Sequence, residues 1–258
     1  MLEIENLEVA VENKTILKKV SFSFEKWKTY FLLGRNWSGK SSLAMSVAGH
    51  PKYKITSGNI DLDWENIAGM EAQERNKAWI FLSFQNIPEI KWIKLIEFLR
   101  TIFNEHQKGK DSNFKEVSFF LFKRKILPHL KELNIPENFL ERDLNVGFSG
   151  WEKRKIELLQ IKLLNPKYII LDEIDSGLDI DAFKIVAMEL EKIRNKDNTM
   201  IFITHNFKLL EYIWVDEVYV IDSWKVIDKW WRELIEKIEK EWFCGYCKEN
   251  CDHREGCA

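Results

Sequence analysis

The chain has 258 residues, 45% of them hydrophobic and 31% charged, which suits one compact α/β domain with a modest insertion better than two independent domains. Lys and Arg number 39 against 41 Asp and Glu, so the net charge of -2 gives no general electrostatic reason to bind nucleic acid or an anionic membrane. No apolar run is long enough to span a bilayer. The opening MLEIENLEVAVENKTIL also lacks the basic-then-apolar layout of a secretion signal, so the expected compartment is the cytoplasm.

Two short β-rich runs come first, LEIENLEVAV and VSFSFE. KTYFLLG then runs as a strand into GRNWSGKSS (34–42), and SSLAMSVAG continues as a helix ending at Gly49. WIFLSF (79–84) reads as another buried strand. Residues 93–165 turn mostly helical, with amphipathic stretches in IKLIEFLRTIF, FKEVSFFLFKRKILPHLKEL and WEKRKIELLQIKLL, which predicts an inserted helical subdomain over about 90–165. From Tyr168 the pattern alternates: strand YIILDE, helix IDAFKIVAMELEKIR, strand TMIFITH, short helix FKLLEYI, strand EVYVID, final helix WRELIEKIEKEWF. Alternating β and α units imply a largely parallel sheet with ligands at the carboxyl ends of its strands.

GRNWSGKSS fits G-x-x-x-x-G-K-[ST], a loop whose successive amides, with the amino end of the following helix, cradle β- and γ-phosphates. Lys40 adds a point charge, and Ser41 is placed to ligate Mg²⁺ through its hydroxyl. Asp172, at the end of an apolar strand, can hold Mg²⁺ or its water, and Glu173 can polarise the attacking water. As simple helix caps these two acids would make little sense after a buried strand, where they are expensive without a cation. His205 ends another strand of the same sheet and is suited to the γ-phosphate or the attacking water. Gln85, ending WIFLSFQ, offers an amide oxygen to Mg²⁺ or that water.

These pieces in this order resemble the ATP-binding cassette ATPases: GRNWSGKS as phosphate loop, Gln85 in the Q-loop, FSGWE (148–152) as signature, IILDE, SGLD (176–179) and His205. The resemblance covers residues 1–243. It implies an α/β fold of the P-loop NTPase type, a mainly parallel core sheet with an antiparallel β part and the helical insertion. It implies ATP hydrolysis with Mg²⁺ held through Ser41, Gln85 and Asp172, and Glu173, His205 and Lys40 in catalysis. ATP would lie on Gly34, Asn36, Trp37, Ser38, Gly39, Lys40, Ser41, Ser42 and Gln85 of one subunit. Ser149, Gly150, Trp151 and Glu152 of a second subunit would complete the site, with Ser176, Gly177, Leu178 and Asp179 as the D-loop. Within the family, NVGFSGWEKRKIELLQ, FLSFQNIPEI, AGHPKYKITSGNI and above all DEIDSGLDIDA are similar to SufC, the ATPase of SUF iron-sulfur cluster assembly. Ile174 and Asp175 stand where transport-type cassettes carry Pro-Thr. That likeness implies ATP-dependent self-association and docking on SufB and SufD. The alternatives are the ATP-binding subunit of a membrane transporter and a non-hydrolytic scaffold relative. Where the family often stacks adenine on an aromatic, VAVENKT offers Val11.

Glycine and tryptophan each number 11, whereas ordinary usage predicts roughly 18 glycines. Against the family pattern, Trp27, Trp37, Trp64, Trp151 and Trp224 occupy glycine places. Trp64 and Trp224 fall in Asp-Gly-like hairpin turns. Trp79, Trp92, Trp230, Trp231 and Trp242 lie at or near places suited to glycine, and Trp214 fits least well. A single explanation is that UGA codons, read as glycine in some genetic codes, stand here as tryptophan. A genuinely Trp-rich chain, with indoles in the core or on a partner-binding face, is the alternative. Trp37, if present, should crowd the phosphate loop.

All four cysteines lie in the tail of residues 244–258: Cys244, Cys247, Cys251 and Cys257, spaced C-x2-C-x3-C-x5-C with His253 among them. One Zn²⁺ or a small iron-sulfur site fits this set, and free thiols on a flexible tail are the alternative.

Overall fold

The computed structural model describes residues 1–34, 38–205, 207–222 and 225–230. Three long antiparallel strands, β1 (Leu2–Val11), β2 (Lys14–Phe24) and β4 (Lys54–Leu62), form with the short β5 (Glu65–Asn66) a sheet in the order β2-β1-β4-β5. A second sheet is built on β3 (Thr29–Gly34), β6 (Ile80–Ser83), β9 (Tyr168–Asp172), β10 (Thr199–Thr204), β11 (Glu217–Asp222) and β12 (Lys225–Trp230). Its order is β12-β11-β3-β10-β9-β6, parallel throughout except for β12.

The parallel strands are nearly continuous apolar runs because both of their faces are covered. In β3, Phe31 and Leu33 join one core while Tyr30 and Leu32 join the other. The same alternation divides Ile169 and Leu171 from Tyr168 and Ile170 in β9, and Met200 and Phe202 from Ile201 and Ile203 in β10. One core packs this sheet on the antiparallel sheet and on α1 (Lys40–Val47). The other packs it on α3 (Leu95–Lys110), α4 (Phe119–Glu132), α5 (Gly150–Leu164) and α6 (Ile180–Ile193).

The helices of residues 93–165 are as expected in kind but are accompanied by a small two-stranded antiparallel sheet of β7 (Ile90–Lys94) and β8 (Asp143–Leu144). The stretch beginning FKEVS turns helical only after Ser118. Asn104 holds the preceding segment extended by accepting from the Val117 amide at 3.0 Å. FKLLE forms a 3-10 turn (Phe207–Glu211), and a short helix not anticipated, α2 (Ala72–Lys77), follows the antiparallel sheet. The expected helix WRELIEKIEKEWF and the cysteine tail lie outside the described residues. Among those described, no helix is long and apolar enough to cross a membrane.

Candidate functional site

The site forms where β3, β9 and β10 end. At Gly34 a β-carbon would stand 2.3 Å from the Ile221 carbonyl oxygen and 2.9 Å from Ser38 Oγ, so only glycine lets β11 run this close to the start of the loop. Gly39 caps α1 with φ 97°, a conformation glycine takes without penalty. Arg35, Asn36 and Trp37 lie outside the described residues, and with them the expected crowding by Trp37.

Lys40, the first residue of α1, is buried, and its Nζ donates to the Gly34 carbonyl at 2.7 Å and to Ser38 Oγ at 3.3 Å. The ammonium thus lies folded back along its own loop. Burial lowers its pKa, opposed by the charges of Glu173 and Asp172. Ser41 Oγ donates to Asp172 Oδ1 at 3.0 Å. Asp172 is fully buried, and burial raises its pKa to about 6 against the smaller pull of the Ser41 hydrogen bond. Its second oxygen, Oδ2, is buried with no hydrogen-bond partner. A buried carboxylate oxygen left open beside a serine hydroxyl is the donor set a hard divalent cation takes, so these residues fit Mg²⁺.

Glu173 follows with φ 46°, and its amide donates to the Ile203 carbonyl at 2.8 Å, which pins it across the end of β10. Its carboxylate accepts from Gln85 Nε2 through Oε2 and lies 3.5 Å from His205 Nδ1 through Oε1. The three polar strand-end residues singled out in the sequence therefore meet in one cluster, although Gln85 bonds to Glu173 rather than to Asp172. Neither acid caps a helix. That role belongs to Asp179, whose side chain accepts from the Ala182 amide at 2.8 Å at the start of α6.

An open cleft of about 920 Å³ runs over Gly39, Lys40, Ser41, Ser42, Gln85 and Glu173. Its far wall is Lys14 and Thr15, from the VAVENKT stretch expected near adenine, with Ile16, Lys18 and Tyr53, which local sequence pattern did not mark. Val11, the residue at the expected adenine position, is not in that wall. The signature residues lie elsewhere. Ser149 caps α5 in a reciprocal box with Glu152, whose carboxylate accepts from the Ser149 amide at 2.7 Å. Gly150 lies against the turn that follows Glu173, a β-carbon there standing 3.3 Å from the Gly177 carbonyl. Trp151, in the first turn of α5, is half-buried and packs on the large core with Lys155 over its ring. Ser176, Gly177 (φ 74°) and Leu178 carry the chain from Glu173 to α6.

One residue missed in the sequence ties these parts together. Arg154, buried on α5, forms an ion pair with Glu157 at 2.6 Å and donates to Ser83 Oγ. It also donates to the carbonyls of Phe84 at 2.9 Å, Gln85 at 3.3 Å and Glu173 at 3.1 Å. The signal was a basic residue on the buried side of α5 with an acid three residues on.

The sequence profile described as ABC transporter matches residues 17–176. The chain is 39% identical over 240 residues to "Vegetative protein 296" of Bacillus subtilis, covering 93% of this chain and 90% of that one. It is 38% identical to "Probable ATP-dependent transporter ycf16" of Cyanophora paradoxa, covering 93% and 92%. Among solved structures it is similar to the dimeric post-hydrolysis state of the ATP-binding cassette MJ0796 bound to ADP and Pi. The TM-score there is 0.74 at 18% identity, with 90% of this chain and 98% of that one covered.

Proposed function

This chain belongs to the ABC transporter family of ATP-hydrolysing cassettes, and we propose that within it the protein is the ATPase subunit of a SUF-type iron-sulfur cluster assembly complex. The observation that carries the finer reading is Asp175. Its Oδ1 accepts from Thr204 Oγ1 at 3.2 Å, fastening the turn after Glu173 to the strand that ends beside His205. Ile174 before it is buried. This Ile-Asp pair, in place of the transport-type Pro-Thr, supports the assembly reading.

In that reading Lys40, the loop amides and the amino end of α1 hold the β- and γ-phosphates of ATP. Mg²⁺ held by Ser41, Asp172 and Gln85 would neutralise charge on the phosphate oxygens. Glu173, oriented by Gln85 and by its amide on Ile203, takes the proton of the attacking water. His205, beside it, contacts the γ-phosphate. ATP bound in one protomer's cleft is completed by Ser149, Gly150 and the signature of a second, with Ser176–Asp179 lining the seam. Closure around two ATPs is the stroke delivered to partners like SufB and SufD. Residues 1–243 form the ATPase domain, with the helical subdomain at about 90–165, and 244–258 a separate tail. Zn²⁺ or iron-sulfur binding by Cys244, Cys247, Cys251 and Cys257, and a cytoplasmic location, belong to the same proposal.

The names of several relatives, such as "Probable ATP-dependent transporter ycf16", favour a second reading, the ATP-binding subunit of a membrane transporter. Purification of the tagged protein from the cell that carries its gene separates the two. Soluble SufB- or SufD-like partners are expected. A transmembrane subunit recovered in their place would overturn the assembly reading.

A further inference from the structure

Trp27, Trp64, Trp79 and Trp92 all have left-handed backbones, with φ of 65°, 77°, 77° and 69°. This conformation drives the β-carbon against the following carbonyl oxygen, and bulky side chains rarely adopt it. Most other positive-φ residues are of tolerant types: Asn6, Asn13, Asp63, Asn134, Asn145 and Asn165, beside glycines. The chain has 17 Phe and 6 Tyr, and none among the described residues has a positive φ. The anomaly belongs to tryptophan, not to aromatic side chains in general.

Each of the four fills a different kind of glycine place. Asp63 (φ 50°) and Trp64 form the two-residue connection between β4 and β5, and two consecutive positive φ values define the turn that Asp-Gly makes. Trp79 stands just past α2, where its amide donates to the Asn76 carbonyl at 3.0 Å and closes the helix in the left-handed position that glycine dominates. Trp92 sits at the register shift between the Ile90↔Leu144 and Lys94↔Asp143 pairs, as glycine does in a bulge. Trp27 turns the chain into β3, its amide donating to Thr199 Oγ1 at 2.9 Å.

The fold makes little use of these indoles. Trp64 and Trp92 are each 89% exposed and Trp27 63%. Trp79 is half-buried, edge-on to His106 with Lys110 over its face. Trp27 and Trp79 wall a hollow of about 390 Å³ with Lys26, Asp63 and Lys167 at the amino ends of the strands, away from the phosphate cleft. That hollow owes two of its walls to the indoles and so is no independent ligand site. A partner-binding face would explain exposure but not conformation, since the exposed Phe119 and Phe120 keep ordinary backbones. Trp214 is the internal control: its φ is not positive, its amide donates to Glu191 Oε2 at 3.2 Å and its Nε1 to Asp216 Oδ1 at 3.4 Å.

We infer that the functional protein carries glycine at positions 27, 64, 79 and 92, each encoded by UGA read as glycine, and a true tryptophan, encoded by UGG, at 214. The backbone thus sorts tryptophans that composition alone leaves alike. Peptide mass spectrometry of the protein purified from the cell that carries its gene tests this, together with the codons. Glycine at all four positions, with tryptophan at 214, is expected. Tryptophan at any of the four, or glycine at 214, overturns the inference. The measurement reads residue identity, not activity, so it can fail while the ATPase assignment stands. As a second readout, in the tryptophan-containing chain Trp64→Gly should raise Tm and Trp214→Gly lower it. A fall in Tm with Trp64→Gly would also overturn the inference.

Discussion

Ser41 and Asp172, 131 positions apart, meet through a 3.0 Å hydrogen bond that leaves the other carboxylate oxygen of Asp172 buried and unpartnered. A carboxylate held this way destabilises the metal-free fold and is poised for a cation. Asp172→Asn should therefore move stability and activity in opposite directions. Removing the buried charge should raise unfolding stability at pH 8 by about 3 kcal/mol, while Mg²⁺-dependent ATP hydrolysis falls by at least about 100-fold. Thermal unfolding without nucleotide and a phosphate-release assay read the two arms.

The same carboxyl sets a pH dependence. Burial raises its pKa to about 6, so the protonated form stabilises the metal-free fold at acid pH, and that contribution is lost as pH rises through about 6. Mg²⁺ needs the ionised form. Its apparent affinity in the presence of ATP should fall by about tenfold per pH unit below 6 and level off above it. In Asp172→Asn the break near pH 6 should vanish. Titration of Mg²⁺ by calorimetry across pH 5–8 checks this.

The Glu173 carboxylate accepts from Gln85, and the Glu173 amide donates to the Ile203 carbonyl. Glu173→Gln keeps the shape and removes the proposed base. Turnover should drop by about 10² to 10⁴-fold with ATP affinity nearly unchanged. Single-turnover hydrolysis and nucleotide binding separate the two effects.

Arg154 and Glu157 form a buried pair whose loss should show in stability first. Arg154→Met leaves Glu157 buried without its partner and should cost about 3–5 kcal/mol. Adding Glu157→Leu should recover most of that loss. Turnover should stay low in the double variant, because the carbonyls of Gln85 and Glu173 have lost the guanidinium that ties them to α5. Denaturant unfolding and steady-state kinetics of both variants make the comparison.

The legible parts of this molecule are those that fixed spacing or continuous apolar character imposes. GRNWSGKSS and YIILDE declare the loop and the carboxylates because a phosphate cradle and a doubly covered strand allow few alternatives. Ile16, Lys18 and Tyr53 were not legible as cleft residues. They reach the cleft through pairings such as Val9↔Leu17 and Ala10↔Lys54, which no local pattern records. The helix AQERNK is too short and too polar to show an apolar period, and its closing residue reads as tryptophan. Arg154 escaped because its partners are carbonyls of loops brought near only by the fold.

In the proposed function, ATP-driven closure of this chain drives cluster assembly on soluble partners. The direct measurement is the rate of iron-sulfur cluster formation, followed by visible absorbance, on the complex purified from the cell that carries its gene, with wild-type chain or Lys40→Ala. Wild type should assemble clusters in an ATP-dependent manner, and Lys40→Ala should lose that dependence along with ATP-driven self-association. Cluster formation at the wild-type rate in the Lys40→Ala complex, or no clusters in the wild-type complex, would contradict it.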